Sequence, residues 1–175
     1  NPCDYNQTKA ATIAIADFEG PVYLRFGRPK VPNFTTPELG FEIGKGILLQ
    51  EGSDVTIVAT GHLVWEALEA AKELAAEGVK AEVINIHTIK PLDTEIILNS
   101  VQKTGCIATA EEHNYLGGMG ESIAGMLSRN HPTPLEFVAT QDCFGESGTP
   151  AQLMQKYGLN KSSIIQKSKE VIKRK

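Results

Sequence analysis

Cysteine is scarce in this chain. Its 175 residues hold three, Cys3, Cys106 and Cys143, with no CxxC pair among them. Four scattered histidines add no metal-ligand spacing, so neither a zinc site nor a disulfide framework is indicated. At this length a hydrophobic core can be buried without either. An odd, sparse set of thiols suits a reducing cytosol, and a cytoplasmic location is the expectation. Long apolar runs are also missing: none approaches the ~20 residues that a bilayer crossing demands, so no membrane partner is expected. There is no GxSxG elbow and no Walker lysine. The first residues, Asn1-Pro2-Cys3-Asp4, lack an initiator Met and a basic, apolar signal region. The expectation is a processed chain or a piece of a longer one.

The residues present are those of a globular domain, 41% hydrophobic and 22% charged, which excludes disorder. Net charge is −4, but from Lys156 onward seven Lys/Arg face the single acid Glu170, a local balance of +6 against −10 elsewhere. Such a tail reads as a solvated last helix with cations at its negative end, not as a nucleic-acid surface.

Asp4 and Gln7 have capping-box spacing ahead of an alanine-rich run, predicting a helix from Asp4 to Asp17. Gly20-Pro21 ends it, and Val22–Phe26 has strand composition. One helix and one strand cannot bury both faces, so they read as the closing unit of a domain whose other strands are missing. Pro29, Pro32 and Pro37 then mark an extended interdomain connector. Beyond it, strands and helices alternate. Strands are expected at 41–43, 47–49, 55–59, 81–86, 106–110 and 135–138. Helices are expected at 63–75, 93–103, 118–128, 150–157 and 161–173. Asp93 and Thr149 supply caps, and Pro150 a helix N1 position. The alternation predicts a three-layer, doubly wound α/β fold with a mostly parallel sheet.

Few motifs carry chemistry. Gly117-Gly118-Met119-Gly120 has the setting of a phosphate-cradling loop, but Glu111 and Glu112 just upstream would repel an anion. It reads as a tight strand-to-helix turn. Neighbouring strand residues face opposite ways, so Glu111 and Glu112 cannot share a proton. His113 reads as a hydrogen-bonded strand-end residue, and His62, at a helix start, as a cap. Arg25 lies in an apolar strand, where a charge needs a partner. A salt bridge or an edge position facing solvent would both serve.

In series, these segments resemble the C-terminal part of transketolase, a thiamine-diphosphate-dependent superfamily. The resemblance is carried by Pro2-Cys3-Asp4, Leu24-Arg25-Phe26-Gly27-Arg28-Pro29 and Val55–Gly61 with Glu66-Ala67. It continues through Thr88-Ile89-Lys90-Pro91-Leu92-Asp93, Glu111-Glu112-His113-Asn114-Tyr115 and Gly117-Gly118-Met119-Gly120-Glu121. It closes with Phe144-Gly145-Glu146-Ser147-Gly148-Thr149-Pro150 and Lys156-Tyr157-Gly158-Leu159.

The resemblance implies that residues 1–28 are the tail of a pyrimidine-binding domain, 29–36 a linker, and 37–175 the family's C-terminal domain. The parent would be a cytoplasmic transketolase, moving a two-carbon ketol unit between sugar phosphates with thiamine diphosphate and Mg²⁺ or Ca²⁺. The family's cofactor site and activating glutamate would lie upstream of Asn1. No catalytic, cofactor or metal residue is therefore assigned here, and the chain alone is expected to be inactive and cofactor-free. Its expected partners are the upstream diphosphate- and pyrimidine-binding domains, or a separate subunit carrying them, and further copies in a homo-oligomer. The one site residue implied is Arg25, matching the position where the family holds the sugar phosphate. Phe144-Gly145-Glu146-Ser147-Gly148 also resembles transketolase-like proteins made as two chains. Three other readings stand beside this one: a non-catalytic assembly or regulatory module, 1-deoxyxylulose-5-phosphate synthase, and a 2-oxo acid dehydrogenase β subunit.

Overall fold

The computed structural model describes all residues, 1–175. Strands β1 (Ile47–Gln50), β2 (Val55–Ala59), β3 (Ala81–Asn85), β4 (Ile107–Asn114) and β5 (Leu135–Thr140) form one sheet. Their order is β1-β3-β2-β4-β5, with β1 antiparallel and the others parallel. The helices are α1 (Tyr5–Ala16), α2 (Leu63–Ala76), α3 (Thr94–Thr104), α4 (Met119–Asn130), α5 (Pro150–Lys156) and α6 (Lys161–Ile172).

The layers follow from alternation along the central strands. On β2, Ile57 and Ala59 join Leu63, Ala67, Ala71 and Leu74 of α2 and Ile164 and Val171 of α6 in one buried cluster. Val58, one residue out of phase, joins Ile97 and Val101 of α3 and Ile123, Met126 and Leu127 of α4 in another. A strand covered on both faces reads as a continuous apolar run, and β2 is buried at all five positions. The three-layer, doubly wound expectation holds.

The crossover after β2 leads to β3 and the one after β4 leads away to β5, so the chain reverses direction between β2 and β4. Their carboxyl ends form the crevice where such sheets bind ligands.

The basic tail is neutralised locally. Lys161 pairs with Glu73 at 2.5 Å and Lys169 with Glu77 at 2.5 Å, both on or just beyond α2, while Arg174 reaches Glu136 of β5 at 2.5 Å. No helix is long and apolar enough to cross a membrane.

The helix α1 forms as expected, with the Asp4 carboxylate accepting the Gln7 N–H at 2.9 Å. The Gln7 side chain accepts from the Cys3 N–H at 3.0 Å, one residue before the N-cap Asp4, so the capping box does not close. Two expected strands are absent. Residues 22–26 have strand composition but no neighbour to pair with, and they run without regular structure. Residues 41–43 likewise lead only into the turn at Gly44 (φ +90°), and pairing starts at Ile47. The anticipated αβ unit is thus a helix followed by an extended strap.

Nor does the N-terminal segment float free. Cys3 lies in the α2-side cluster, and Asn85 of β3 donates to Gln7 Oε1 at 3.0 Å. Asp4 also gathers the proline-rich connector, accepting from Phe34 N, Thr35 N and Thr35 Oγ1 at 2.6–2.8 Å.

Candidate functional site

The site lies at the carboxyl ends of β2, β3 and β4, beneath α1 and the strap. A cavity of about 1100 Å³ opens there, walled by Ile15, Phe18, Leu24 and Met119 and carrying Arg25, His87, Glu111 and His113. Glu111 and His113, near the end of β4, line its floor, while Glu112 between them faces away, and each of the three has its own partner.

Glu111 is buried and points at the start of α4. Its two carboxylate oxygens accept the Met119 and Gly120 N–H groups, each at 2.7 Å. Gly118, the N-cap, has no side chain to offer, so Glu111 supplies the acceptor that the exposed helix amides require. A Cβ on Gly118 would stand 2.7 Å from those oxygens and 2.6 Å from the Asn114 carbonyl, so only glycine fits. The glycine turn is therefore an anion cradle already filled by the chain's own carboxylate. Burial pushes the Glu111 carboxyl above its ordinary pKa, against the pull of the two N–H donors.

Glu112 turns to the other face and meets His62 Nδ1 at 3.3 Å. That hydrogen bond holds the Glu112 carboxyl below its usual range despite burial. The expectation that His62 caps α2 is corrected here. It occupies the N-cap position in helical conformation (φ −59°, ψ −30°), makes no capping bond, and spans the β2–β4 crevice instead. Gly27 of the strap passes directly over its ring, where any Cβ would collide with the ring atoms.

His113 Nε2 is hydrogen-bonded to Nη1 of Arg25. Burial first, and the Arg25 charge second, lower the His113 pKa. That shift favours the neutral imidazole, the form able to accept from a guanidinium. Arg25 is half-buried at the cavity wall and forms no ion pair with a carboxylate, so the salt-bridge alternative does not hold. His87 lies nearby, stacked on Phe41 at 4.3 Å, with Nδ1 3.0 Å from Thr88 Oγ1. Its Nε2 is buried without a partner, and burial lowers its pKa to about 4.

Sequence reasoning named Arg25, Glu111, Glu112, His62 and His113 separately. It missed that they form one arrangement, and it missed the Phe41–His87 stack. One signal was available: a helix beginning at a glycine N-cap needs an acceptor from elsewhere, and Glu111 stood seven residues upstream.

Comparison with known proteins decides the family. Residues 44–164 match the transketolase C-terminal domain. The chain belongs to the transketolase family. It is 45% identical over 174 residues to the 6-deoxy-6-sulfo-D-fructose transketolase subunit SqwH of Clostridium sp. (strain MSTE9), a match covering 99% of this chain and 54% of that protein. It is 35% identical over 174 residues to one of the apulose-4-phosphate transketolase subunits of Phocaeicola vulgatus, covering 99% and 55%. A solved split-gene transketolase, described as an inactive β4 tetramer, superposes with a TM-score of 0.95 at 44% identity, over 98% of this chain and 56% of that one. The chain thus spans about half the length of these transketolase relatives.

Proposed function

We propose that these 175 residues are the C-terminal part of a split-type transketolase subunit, which transfers a two-carbon ketol unit between sugars bearing a terminal anion. Within it, residues 1–28 close a pyrimidine-binding domain, 29–36 link, and 37–175 form the C-terminal domain. The matched region, 44–164, falls inside the last of these. The relatives named for 6-deoxy-6-sulfo-D-fructose and apulose-4-phosphate support a sugar with an anionic end. The β4 tetramer supports a homo-oligomer of such subunits, completed by a partner. Two buried free thiols, Cys3 and Cys106, accord with a cytoplasmic setting.

Thiamine diphosphate with Mg²⁺ or Ca²⁺ supplies the carbanion chemistry in this family. The residues of this chain do not fit a metal–diphosphate cradle. No three His, Cys, Asp or Glu side chains converge on one point, and the α4 amides that could hold a phosphate are taken by Glu111. The proposed contribution of the chain is therefore substrate grip, scaffold and subunit contact. By itself it transfers no ketol group and binds no thiamine diphosphate.

The observation that carries the reading is Arg25: a half-buried guanidinium facing a cavity, with an imidazole for a neighbour and no carboxylate to neutralise it. Its planar fork suits two oxygens of a phosphate or sulfonate. The test is Arg25→Ala in the full-length subunit with its partner. KM for anionic sugars should rise roughly 10–100-fold, the loss of a charge-assisted hydrogen bond worth about 1.5–3 kcal/mol. Uncharged sugars should be nearly unaffected. Equal losses for both substrate classes would make Arg25 structural and refute the assignment.

A further inference from the structure

Arg25 sits on a strap that has no regular structure from Pro21 to Gly27 and so cannot aim a guanidinium by itself. Holding a planar fork on two anion oxygens requires placement within about 0.5 Å, which calls for support from a rigid element. The end of β4 is such an element. Glu111 is clamped by two backbone N–H groups, Glu112 by His62, and Asn114 both by Asp142 Oδ1 at 2.7 Å and by the Leu116 N–H at 2.9 Å. His113 stands between these fixed neighbours, and the strap meets it through Arg25 and meets His62 through Gly27.

We propose that His113 is the positioning residue for Arg25, its Nε2 accepting one guanidinium N–H and thereby directing the rest of the fork into the cavity. This rests on the reading of Arg25 as the anion ligand. The donor inventory allows it: of five guanidinium N–H groups, one is spent on His113 and the remainder stay available for an anion. The imidazole must be neutral to accept. The charged or titratable groups facing it are Arg25 from the strap and Glu112 from its own strand with His62 behind. Burial and, second, the Arg25 charge outweigh Glu112 and lower the His113 pKa, which favours the neutral ring, and acceptance at Nε2 requires the proton on Nδ1. The strap and the sheet domain thus share one site: the first carries the cation and the second sets its direction.

The experiment compares His113→Leu, His113→Gln and Arg25→Ala in the full-length subunit assembled with its partner. His113→Leu should raise KM for anionic sugars about 5–20-fold, with kcat within twofold and uncharged sugars unaffected. His113→Gln places an acceptor oxygen near the Nε2 position and should bring KM back to within about twofold. Nitrogen NMR of the assembled wild type should find His113 Nε2 unprotonated. If Leu and Gln lose equally, if both substrate classes suffer, or if Nε2 carries the proton, His113 does not position Arg25. If Arg25→Ala fails to distinguish the substrate classes, the anion-ligand reading falls and this proposal falls with it. If Arg25→Ala distinguishes them and His113→Leu does not, only this proposal falls.

Discussion

Residues 1–36 and residues 37–175 are held in place by opposite means. The sheet domain buries apolar side chains on both faces of β2 and pairs its charges at the surface. The N-terminal segment turns its polar groups inward: Asp4, Gln7 and Thr35 are buried, while Tyr5, Ile13, Phe18, Val22, Tyr23 and Phe26 are exposed. Hydrophobic burial drives folding, so a segment with this inside-out arrangement does not account for its own apolar residues. Polar docking, joined by Cys3 and Phe34 packed against the α2-side cluster, fixes where the segment lies. On the proposed reading, the apolar face belongs to the core of the pyrimidine-binding domain.

The two regions also treat a buried carboxylate differently. Asp4 receives four donors, from Gln7, Phe34 and Thr35, the last giving two. Burial opposes its ionisation, yet those hydrogen bonds win and its pKa is lowered. Glu111 receives only two donors, and burial wins there. More donors with shallower burial lower the Asp4 pKa, and fewer donors with deeper burial raise that of Glu111.

The most damaging test of the comparison is Asp4→Ala. It removes the α1 cap and leaves the N–H groups of Phe34 and Thr35 without their acceptor. Docking of residues 1–36 should weaken by about 3 kcal/mol, combining a lost cap with stranded buried donors. Hydrogen exchange should quicken throughout α1 and the connector while β2–β4 amides keep their protection. If the whole domain loosened together, the two regions would be one cooperative unit and the contrast would be false.

A second test sets the two carboxylates against each other through pH. The folded pKa of Asp4 lies below its unfolded value of about 3.9. Its ionised form therefore contributes stability that is present above that value and lost as pH falls through the folded pKa. The folded pKa of Glu111 lies above its unfolded value of about 4.3, so the native state holds extra proton between the two. Its contribution falls as pH rises through that window. Denaturant titrations of wild type against Asp4→Asn and Glu111→Gln isolate each contribution. The wild-type advantage over Asp4→Asn should shrink on acidification below about pH 4, and its balance against Glu111→Gln should improve as pH falls through the raised folded pKa of Glu111 towards about 4.3. Slopes of the same sign would break the distinction.

The fold was legible because its signals are local. A continuous apolar run placed β2, and caps at Asp4, Asp93 and Thr149 set the starts of α1, α3 and α5. Where a strand needs a partner, local signals failed. Residues 22–26 have strand composition, yet composition does not supply a neighbouring chain to pair with. The site was legible as residue types and not as contacts. His62 and Glu112 lie 50 positions apart, and Arg25 and His113 88 apart, separations at which periodicity carries no information. Only the strand order, which brings β2 beside β4, joins the first pair.

The mildest test should leave the isolated chain almost untouched. Tyr23 is 85% exposed and Phe26 58% exposed, and neither belongs to either core cluster. Surface replacements away from buried networks stay within about 0.5 kcal/mol, so Tyr23→Ser with Phe26→Ser should not move the unfolding midpoint of the 175-residue chain appreciably. Truncating a fully buried β2 residue is the control: Ile57→Ala should cost about 2–5 kcal/mol. In the full-length subunit the same serine pair should become destabilising, because the proposed pyrimidine-binding domain covers those side chains and would lose their buried area. The difference between the two backgrounds is the measurement. A large loss in the 175-residue chain would show that the strap is already part of a core. No loss in either background would mean that nothing covers its apolar face, and that residues 1–28 do not close a second domain.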